Sequence, residues 1–165
     1  EFFTYDKVVL ATHADESLKM ISDVTDSEKK ILNNFKYRKN TAVIHSDVCS
    51  MPKNKKAWCS WNSSLNPNNK DNSSVTYWLN QLQNLKISKN IFLTINPFFK
   101  IDPSKIYNEI IFTHPYYDEN ALKNQSKLNS IQNVKNTSFA GSYFGYGFHE
   151  DGIKSSIEML KSLND

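Results

Sequence analysis

The stretch TSFAGSYFGYGFHEDGIKSS, residues 137–156, contains all 4 glycines of this 165-residue chain. Glycine permits a positive φ angle or a close approach of the backbone to another group, so conformational freedom is concentrated in this one segment. Residues 137–140 are prone to form a β-strand, and the apolar residues of 152–163 recur at helical spacing. The stretch therefore predicts a strand, a glycine-rich loop and a helix.

A glycine-rich loop before a helix can bind an electron-rich group. The first turn of a helix has backbone N–H groups without intrahelical partners and a partial positive charge, and a loop with few side chains lets a ligand approach them. The amides around Gly152 and Ile153 are the candidates for contact with a nucleotide, a phosphate or the edge of a flavin. The alternative is that Glu150 and Asp151 satisfy the same amides and only cap the helix.

Three consecutive segments carry a similarity to a known family: FAGS at 139–142, YFGYG at 143–147 and FHEDGIKSS at 148–156. They resemble the C-terminal flavin-binding motif of FAD-dependent oxidoreductases of the amine oxidase superfamily, closest to the bacterial NAD/FAD-binding, amine-oxidase-like branch. The resemblance extends over nearly the whole chain through further segments, namely YDKVVLATHAD at 5–15, WCSWN at 58–62, VTYWLN at 75–80 and LTINP at 93–97.

The resemblance implies an α+β fold, with an antiparallel mixed sheet of a substrate domain, flanking helices, and the last strand–loop–helix of an FAD-binding domain. Residues 1–14 would be a strand of the FAD-binding domain, 15–136 the substrate-binding domain, and 137–165 the C-terminal FAD-binding strand–loop–helix. The implied cofactor is non-covalent FAD. Its expected contacts are Gly141, Ser142, Gly147, Phe148, His149, Glu150, Asp151, Gly152 and Ile153.

Two departures from the family pattern qualify the resemblance. Ser142 stands where many members have an acidic residue that contacts the ribityl–phosphate region of the cofactor. The Gly-x-Gly-x-x-Gly turn that packs against the pyrophosphate is absent, because no glycine precedes Gly141. We therefore expect the chain to be the C-terminal portion of a longer flavoenzyme, which alone neither binds FAD tightly nor turns over.

The implied reaction is hydride transfer between the flavin and a C–N or C–C bond of an amine, apolar or lipid substrate. Aromatic residues on predicted neighbouring strands and beside the glycines could line the substrate pocket: Trp58, Trp61, Tyr77, Trp78, Tyr143 and Tyr146. Aromatic side chains at such positions serve equally well as sheet core or domain-interface core. The sequence identifies no catalytic residue.

Two other functions compete with the flavoenzyme. A non-enzymatic module that binds a lipid or a partner protein predicts a closed hydrophobic core. The flavoenzyme portion predicts an exposed apolar face where the missing domain docks or where a homodimer forms. A metal-dependent hydrolase could use the 4 histidines, each near an acid, and His45 and Asp47 would share a strand face. These histidines lie far apart in the sequence, so we expect no metal site.

Composition limits the remaining classes. The net charge is +3, and Arg38 is the only arginine, which leaves little for bidentate recognition of phosphate or guanine, so we expect no nucleic-acid partner. Cys49 and Cys59 are expected as free thiols in a cytoplasmic enzyme. No apolar run approaches the roughly 20 residues that span a bilayer, so we expect no transmembrane segment.

Local patterns predict the elements between these motifs. Residues 7–13 form a compact apolar run typical of a buried strand. Asp15 is expected to cap a short helix, and a second helix is expected to start at Asp26 or Ser27 with Ile31, Leu32 and Phe35 on its inner face.

Alternation with a period of two begins at Thr41, and further strands are expected at 57–62, 74–80 and 91–96, which would pair into an antiparallel sheet. Residues 66–73 are expected to be a mobile polar loop. Residues 106–113 are expected to be a strand or a helix-to-strand transition, and 120–128 a helix.

Overall fold

The computed structural model describes residues 1–163, apart from the side chains of Lys70 and Asp71. The strands are β1 (Val8–Leu10), β2 (Lys36–His45), β3 (Trp61–Asn66), β4 (Asn69–Trp78), β5 (Phe92–Ile95), β6 (Ile106–Tyr116) and β7 (Thr137–Phe139). The helices are α1 (Ala14–Met20), α2 (Asp26–Leu32), α3 (Leu79–Leu82), α4 (Glu119–Gln125) and α5 (His149–Leu163). The chain divides into two compact units, unit 1 (Glu1–Arg38 with Pro115–Asp165) and unit 2 (Lys39–His114).

A five-stranded antiparallel sheet in the order β3-β4-β5-β2-β6 organises unit 2. β3 and β4 form a hairpin in which Trp61 lies opposite Tyr77, and β5 pairs with both β4 and β2. Together with the helices, this sheet confirms the predicted α+β class.

One face of this sheet buries a row of hydrogen-bonded polar side chains. The His45 Nδ1 atom accepts the backbone N–H of Asp47 at 3.1 Å, so the neutral ring carries its proton on Nε2 and donates to Thr94 Oγ1 at 2.7 Å. Thr94 Oγ1 lies 2.9 Å from Thr76 Oγ1 on the next strand. Burial lowers the pKa of His45, which favours the neutral form. The row connects β2, β5 and β4 through side chains as well as backbone.

Unit 1 has an apolar core formed by its helices, by β7 and by the loop that follows β7. Its buried members are Ala14, Ile31, Leu32, Phe35, Ala121, Leu128, Ile131, Phe139 and Tyr143. Helix α2 begins with a capping box, in which Thr25 Oγ1 accepts the N–H of Glu28 and the Glu28 carboxylate accepts the N–H of Thr25 at 2.7 Å. This confirms the predicted helix start at Asp26 and its inner face.

The strands β1 and β7 form a separate two-stranded parallel sheet in unit 1. Val8 pairs with Thr137 and Leu10 with Phe139. Residues 7–13 were predicted as a buried strand, which is wrong in two respects: only residues 8–10 form a strand, and Val8 and Val9 remain 44% and 42% exposed. Parallel strands are normally covered on both faces, whereas the described chain gives β1 one neighbouring strand.

Helix α5 carries a stripe of exposed apolar residues, Ile153, Ile157 and Leu160, which are 56%, 50% and 54% exposed. Ser155 and Met159 on the same helix are buried, so the helix does pack against its own unit through another face. The stripe is an apolar surface that the described chain leaves uncovered.

Two predicted boundaries need correction. The strand expected at 57–62 begins at Trp61, after a 3₁₀ turn at Lys55–Ala57. The loop expected at 66–73 is a hairpin, because β4 starts at Asn69 and pairs with β3, with a shift of register between Leu65 and Asn66. The sequence WNSSLN of β3 is largely polar, so its strand character depends on its partner rather than on its own alternation.

Other element ends also differ from expectation. Asp15 does not cap α1, because the helix already begins at Ala14 and His13 precedes it. Residues 106–113 form a strand that continues to Tyr116, and the helix expected at 120–128 spans Glu119–Gln125. Among the described helices, none is long and apolar enough to traverse a bilayer.

Candidate functional site

The carboxyl ends of β1 and β7 meet at one edge of unit 1, because the two strands run parallel in direct register. The N–H of Ala140 donates to the carbonyl of Leu10 at 3.1 Å, which brings the segments that follow the two strands together. A cavity of about 360 Å³ opens there, and its lining residues are Ala11, Thr12, His13, Glu16, Tyr37, Pro115, Gly141, Ser142 and Tyr143. Ligands of parallel α/β sheets bind beyond the carboxyl ends of the strands, so this cavity is the candidate site.

Tyr37 connects the cavity wall to the first turn of α1. Its hydroxyl oxygen accepts the N–H of Ala14 at 2.9 Å, and its ring stacks on His13 with a centroid separation of 4.2 Å. Burial raises the pKa of Tyr37 to about 12, so the phenol stays protonated at neutral pH. Because the oxygen accepts from Ala14, the Tyr37 O–H proton is available as a donor.

Tyr143 is the most buried polar side chain of the cavity wall, at 3% exposure. Its ring packs against Phe35 and Phe144 with centroid separations of 5.2 and 5.0 Å. Its hydroxyl is buried and forms no hydrogen bond with the described residues. Burial raises the pKa of Tyr143, with a smaller contribution from Tyr37. Tyr143 therefore lines the cavity as a residue, while its protonated hydroxyl is enclosed by the protein.

The first turn of α5 differs from the sequence expectation. The helix begins at His149, one turn earlier than predicted, and the N–H of Gly152 already donates to the carbonyl of Phe148 at 3.3 Å. The expected role of the Gly152 amide as an open donor is therefore wrong. The amides of His149 and Glu150 occupy the first turn, where no intrahelical acceptor exists.

Asp151 explains this earlier start. Its Oδ2 atom accepts the backbone N–H of Tyr146 and of Phe148, each at 3.0 Å, and so holds the loop against the helix. Glu150 is exposed, and its carboxylate lies 3.8 Å from Lys154. The capping alternative thus applies to Asp151, but the amides that Asp151 caps belong to the loop rather than to the first turn of the helix.

The structural need for glycine differs among the four glycine positions. A Cβ atom at Gly141 would lie 2.6 Å from the ring of Tyr143, one at Gly145 would meet the Asp151 carboxyl group, and Gly147 has φ +93°. At Gly152 the nearest atom to an added Cβ is the backbone N of Ser142, at 3.9 Å, which is ordinary contact. Glycine inside a helix is about 1 kcal/mol less favourable than alanine. Within the described chain, no steric contact requires glycine at position 152. A ligand that passes beside this position would require it.

The expected cofactor contacts fall in two neighbouring places in unit 1. Gly141 and Ser142 line the cavity, and residues 147–153 form the loop end and the first turns of α5. Phe148, His149 and Ile153 are exposed. Their assignment as FAD contacts stays a prediction.

The six aromatic candidates for the substrate pocket do not form one group. In unit 2, Trp58 lies edge-on to Trp78 at 5.4 Å, while Trp61 lies edge-on to Tyr77 at 5.5 Å. Because Tyr77 and Trp78 are successive strand residues, these two pairs lie on opposite faces of the sheet. In unit 1, Tyr143 is buried, whereas Tyr146 is exposed.

Six lining residues were not predicted as cofactor or substrate contacts: Ala11, Thr12, His13, Glu16, Tyr37 and Pro115. The signal that would have found Thr12 and His13 is their position directly after a strand of a parallel pair. That signal becomes visible only once β1 is known to pair with β7.

The histidines do not assemble a metal site. Both ring nitrogens of His45 are in hydrogen bonds, and His114 Nδ1 lies 3.3 Å from Asn40. In the described part of the chain, no three His, Cys, Asp or Glu side chains are grouped as metal ligands. Cys49 and Cys59 are free thiols of exposed residues. Partial desolvation of its sulfur, together with the nearby Asp47 carboxylate, raises the pKa of Cys49 to about 11.

Comparison with known proteins finds a solved structure of similar fold. No family model and no curated protein matches the chain. Among solved structures, the chain resembles a CLA-producing fatty acid isomerase from P. acnes, with a TM-score of 0.61 and 16% sequence identity. The chain has the fold of part of this enzyme. The similarity covers 95% of this chain and 41% of the isomerase, so the chain spans well under half of that protein's length.

Proposed function

We propose that this chain is the C-terminal portion of an FAD-dependent oxidoreductase of the amine oxidase type. The observation that carries the proposal is the cavity at the carboxyl ends of β1 and β7, whose lining residue Ser142 lies next to Gly152 of helix α5. A nucleotide cofactor fits this arrangement, because a helix N-terminus and a small-residue loop favour an electron-rich group.

Residues of this chain would hold one part of the cofactor. Gly141 and Ser142 would approach it from the loop after β7, and the amides of His149 and Glu150 would point at it from α5. Gly152 would leave room for its passage, since only the Ser142 backbone lies near the missing side chain. When bound, the flavin supplies hydride transfer. The helix dipole would stabilise negative charge on it by about 1 kcal/mol.

The pyrophosphate end of FAD needs another part of the protein. The glycine-rich turn that normally packs against a pyrophosphate has no counterpart before Gly141. The pairing of β1 with β7 supports the assignment of residues 1–14 and 137–165 to one FAD-binding domain. The half-exposed valines of β1 and the apolar stripe of α5 support a larger parallel sheet that the rest of the protein completes.

An apolar substrate suits unit 2. Cross-strand partners on one face of its sheet are apolar and only half-buried, with Ile44 opposite Leu93 and Leu93 opposite Tyr77. The structural neighbour is by name an isomerase of fatty acids. We therefore favour hydride transfer at a C–C bond of a lipid-like substrate over oxidation of a C–N bond.

The test is the flavin content of the complete protein of which this chain forms part. We expect stoichiometric FAD in the purified protein, measured by visible absorption and by identification of the released cofactor. The 165-residue chain alone is expected to retain none. Gly152→Ala should lose FAD while the protein stays folded, because the added Cβ meets only ordinary contact in the chain.

Lys154→Ala, at an exposed position of the same helix, is the matched control and should retain FAD. A colourless complete protein that does not take up added FAD would refute the proposal. Wild-type FAD content in Gly152→Ala would refute the role of the helix start.

A further inference from the structure

Glu16, in the first turn of α1, lines the cavity at the carboxyl ends of β1 and β7. It is exposed, and its carboxylate forms no ion pair or hydrogen bond with the described residues. The pKa of Tyr37 is raised mainly by burial and further by the Asp15 and Glu16 carboxylates, so negative charge lies close to this ring of the cavity wall. The cavity therefore has a hydrogen-bond acceptor that the described chain leaves without a donor.

The other polar side chains of the cavity wall add hydroxyl groups but no permanent cation. Thr12 and Ser142 each carry a hydroxyl, the ring of His13 is stacked on Tyr37, and neither lysine nor arginine occurs among the lining residues. A phosphate group beside Glu16 would meet a like charge without a cation to offset it, which is unfavourable. A neutral group with several hydroxyls fits better, because its O–H groups can donate to the carboxylate.

We infer that the cavity binds the polyol part of the flavin nucleotide, a ribose or the ribityl chain, and that the Glu16 carboxylate accepts hydrogen bonds from its hydroxyl groups. The inference rests on the proposed function and identifies which part of the cofactor lies at the ends of β1 and β7. It adds a cofactor contact from α1, outside the glycine-rich segment. Glu16 acts in binding and takes no part in bond making or breaking.

The experiment measures FAD affinity in the complete protein. Apoprotein of the wild type, Glu16→Gln and Glu119→Gln is titrated with FAD by flavin fluorescence. Glu119 is the matched control, because it is an exposed acid in the first turn of α4 and does not line the cavity. We expect Glu16→Gln to bind FAD about tenfold more weakly, because a charged acceptor is replaced by a neutral one. The control should bind FAD as the wild type does.

Two analogues of FAD distinguish the two possible sources of the hydroxyl groups. One has no hydroxyl groups on the ribose of its adenosine, and the other has none on its ribityl chain. The effect of Glu16→Gln should disappear with the analogue that lacks the groups bound by Glu16 and persist with the other. An equal loss with FAD and with both analogues would show that Glu16 does not act through these hydroxyls, which would overturn the inference.

The direction of the change in affinity also decides between a sugar and a phosphate group. Unchanged affinity in Glu16→Gln would overturn the inference, and tighter binding would overturn it by showing that the carboxylate faces a phosphate. Both results leave the proposed function standing, since FAD still binds. A complete protein that takes up no FAD would overturn the inference and the proposed function together.

Discussion

The five-stranded sheet of unit 2 and the parallel pair β1–β7 of unit 1 differ in how far this chain completes them. In the sheet, a buried row of His45, Thr94 and Thr76 is satisfied by its own hydrogen bonds. In the parallel pair, Val8 and Val9 are exposed. Close by in unit 1, the Tyr143 hydroxyl lacks a partner among the described residues. The contacts of this chain account for the first region, whereas under the proposed function a further domain would cover the second.

The largest expected difference in the free energy of unfolding is between the alanine variants of Phe92 and Phe148. Phe92 is fully buried in the central strand β5, whereas Phe148 is exposed at the start of α5. Phe92→Ala should lower the free energy of unfolding by about 3–5 kcal/mol, the usual cost of a large cavity. Phe148→Ala should change it by less than about 0.5 kcal/mol. Urea denaturation of both variants measures this, and equal losses would contradict the comparison.

A smaller effect is expected from the buried polar row. Thr94→Val leaves the Nε2–H of His45 without its acceptor, so the free energy of unfolding should fall by about 1–3 kcal/mol. Thr94→Ser keeps the hydroxyl and is the matched control, expected to retain most of the stability. If the valine variant were as stable as the serine variant, the row would not contribute to the sheet.

The pH dependence of unfolding tests how His45 contributes to the stability of the same row. Burial lowers the pKa of His45 from its ordinary value of 6.5, while the nearby Asp47 carboxylate opposes this shift. As the pH falls, His45 is therefore protonated in the unfolded state before it is protonated in the folded state. Its contribution to stability is lost as the pH falls below 6.5 towards its pKa in the folded state. Denaturation of wild type and His45→Gln between about pH 8 and 5 should show a steeper loss in the wild type. If the stabilities of the two proteins fell equally with pH, His45 would not be the cause of the loss.

The smallest expected effect on stability is at the apolar stripe of α5. Ile157→Gln should change the free energy of unfolding by no more than about 0.5 kcal/mol, because the side chain is half exposed. If the stripe also joins two copies of the chain, sedimentation velocity should show less self-association in the variant. A large loss of stability would mean that the chain itself needs this face.

Much of the outline was predictable from the sequence. The apolar residues Ile31, Leu32 and Phe35 occupy the inner face that their spacing predicted. The strand–loop–helix after residue 137 is also where the glycines placed it. Both appear in the spacing of apolar residues and of glycines along a short segment, and such local patterns indicate secondary structure well.

The remaining features depend on pairing between distant segments. The polar strand β3 becomes a strand through β4, and the helix start moves to His149 because Asp151 accepts two loop amides. The cavity exists because β1 pairs with β7, and Tyr37 reaches it from β2 through its bond to Ala14. No local pattern contains this information, so the lining residues Thr12 and Tyr37 could not be found in advance.

Hydrogen–deuterium exchange of the complete protein, with and without FAD, tests the central claim most directly. We expect FAD to slow exchange in peptides that cover residues 11–16 and 141–153, where the cavity and the first turn of α5 lie. Peptides of the β3–β4 hairpin should exchange equally in both states. Unchanged exchange at 141–153 in a protein that has bound FAD would contradict the account.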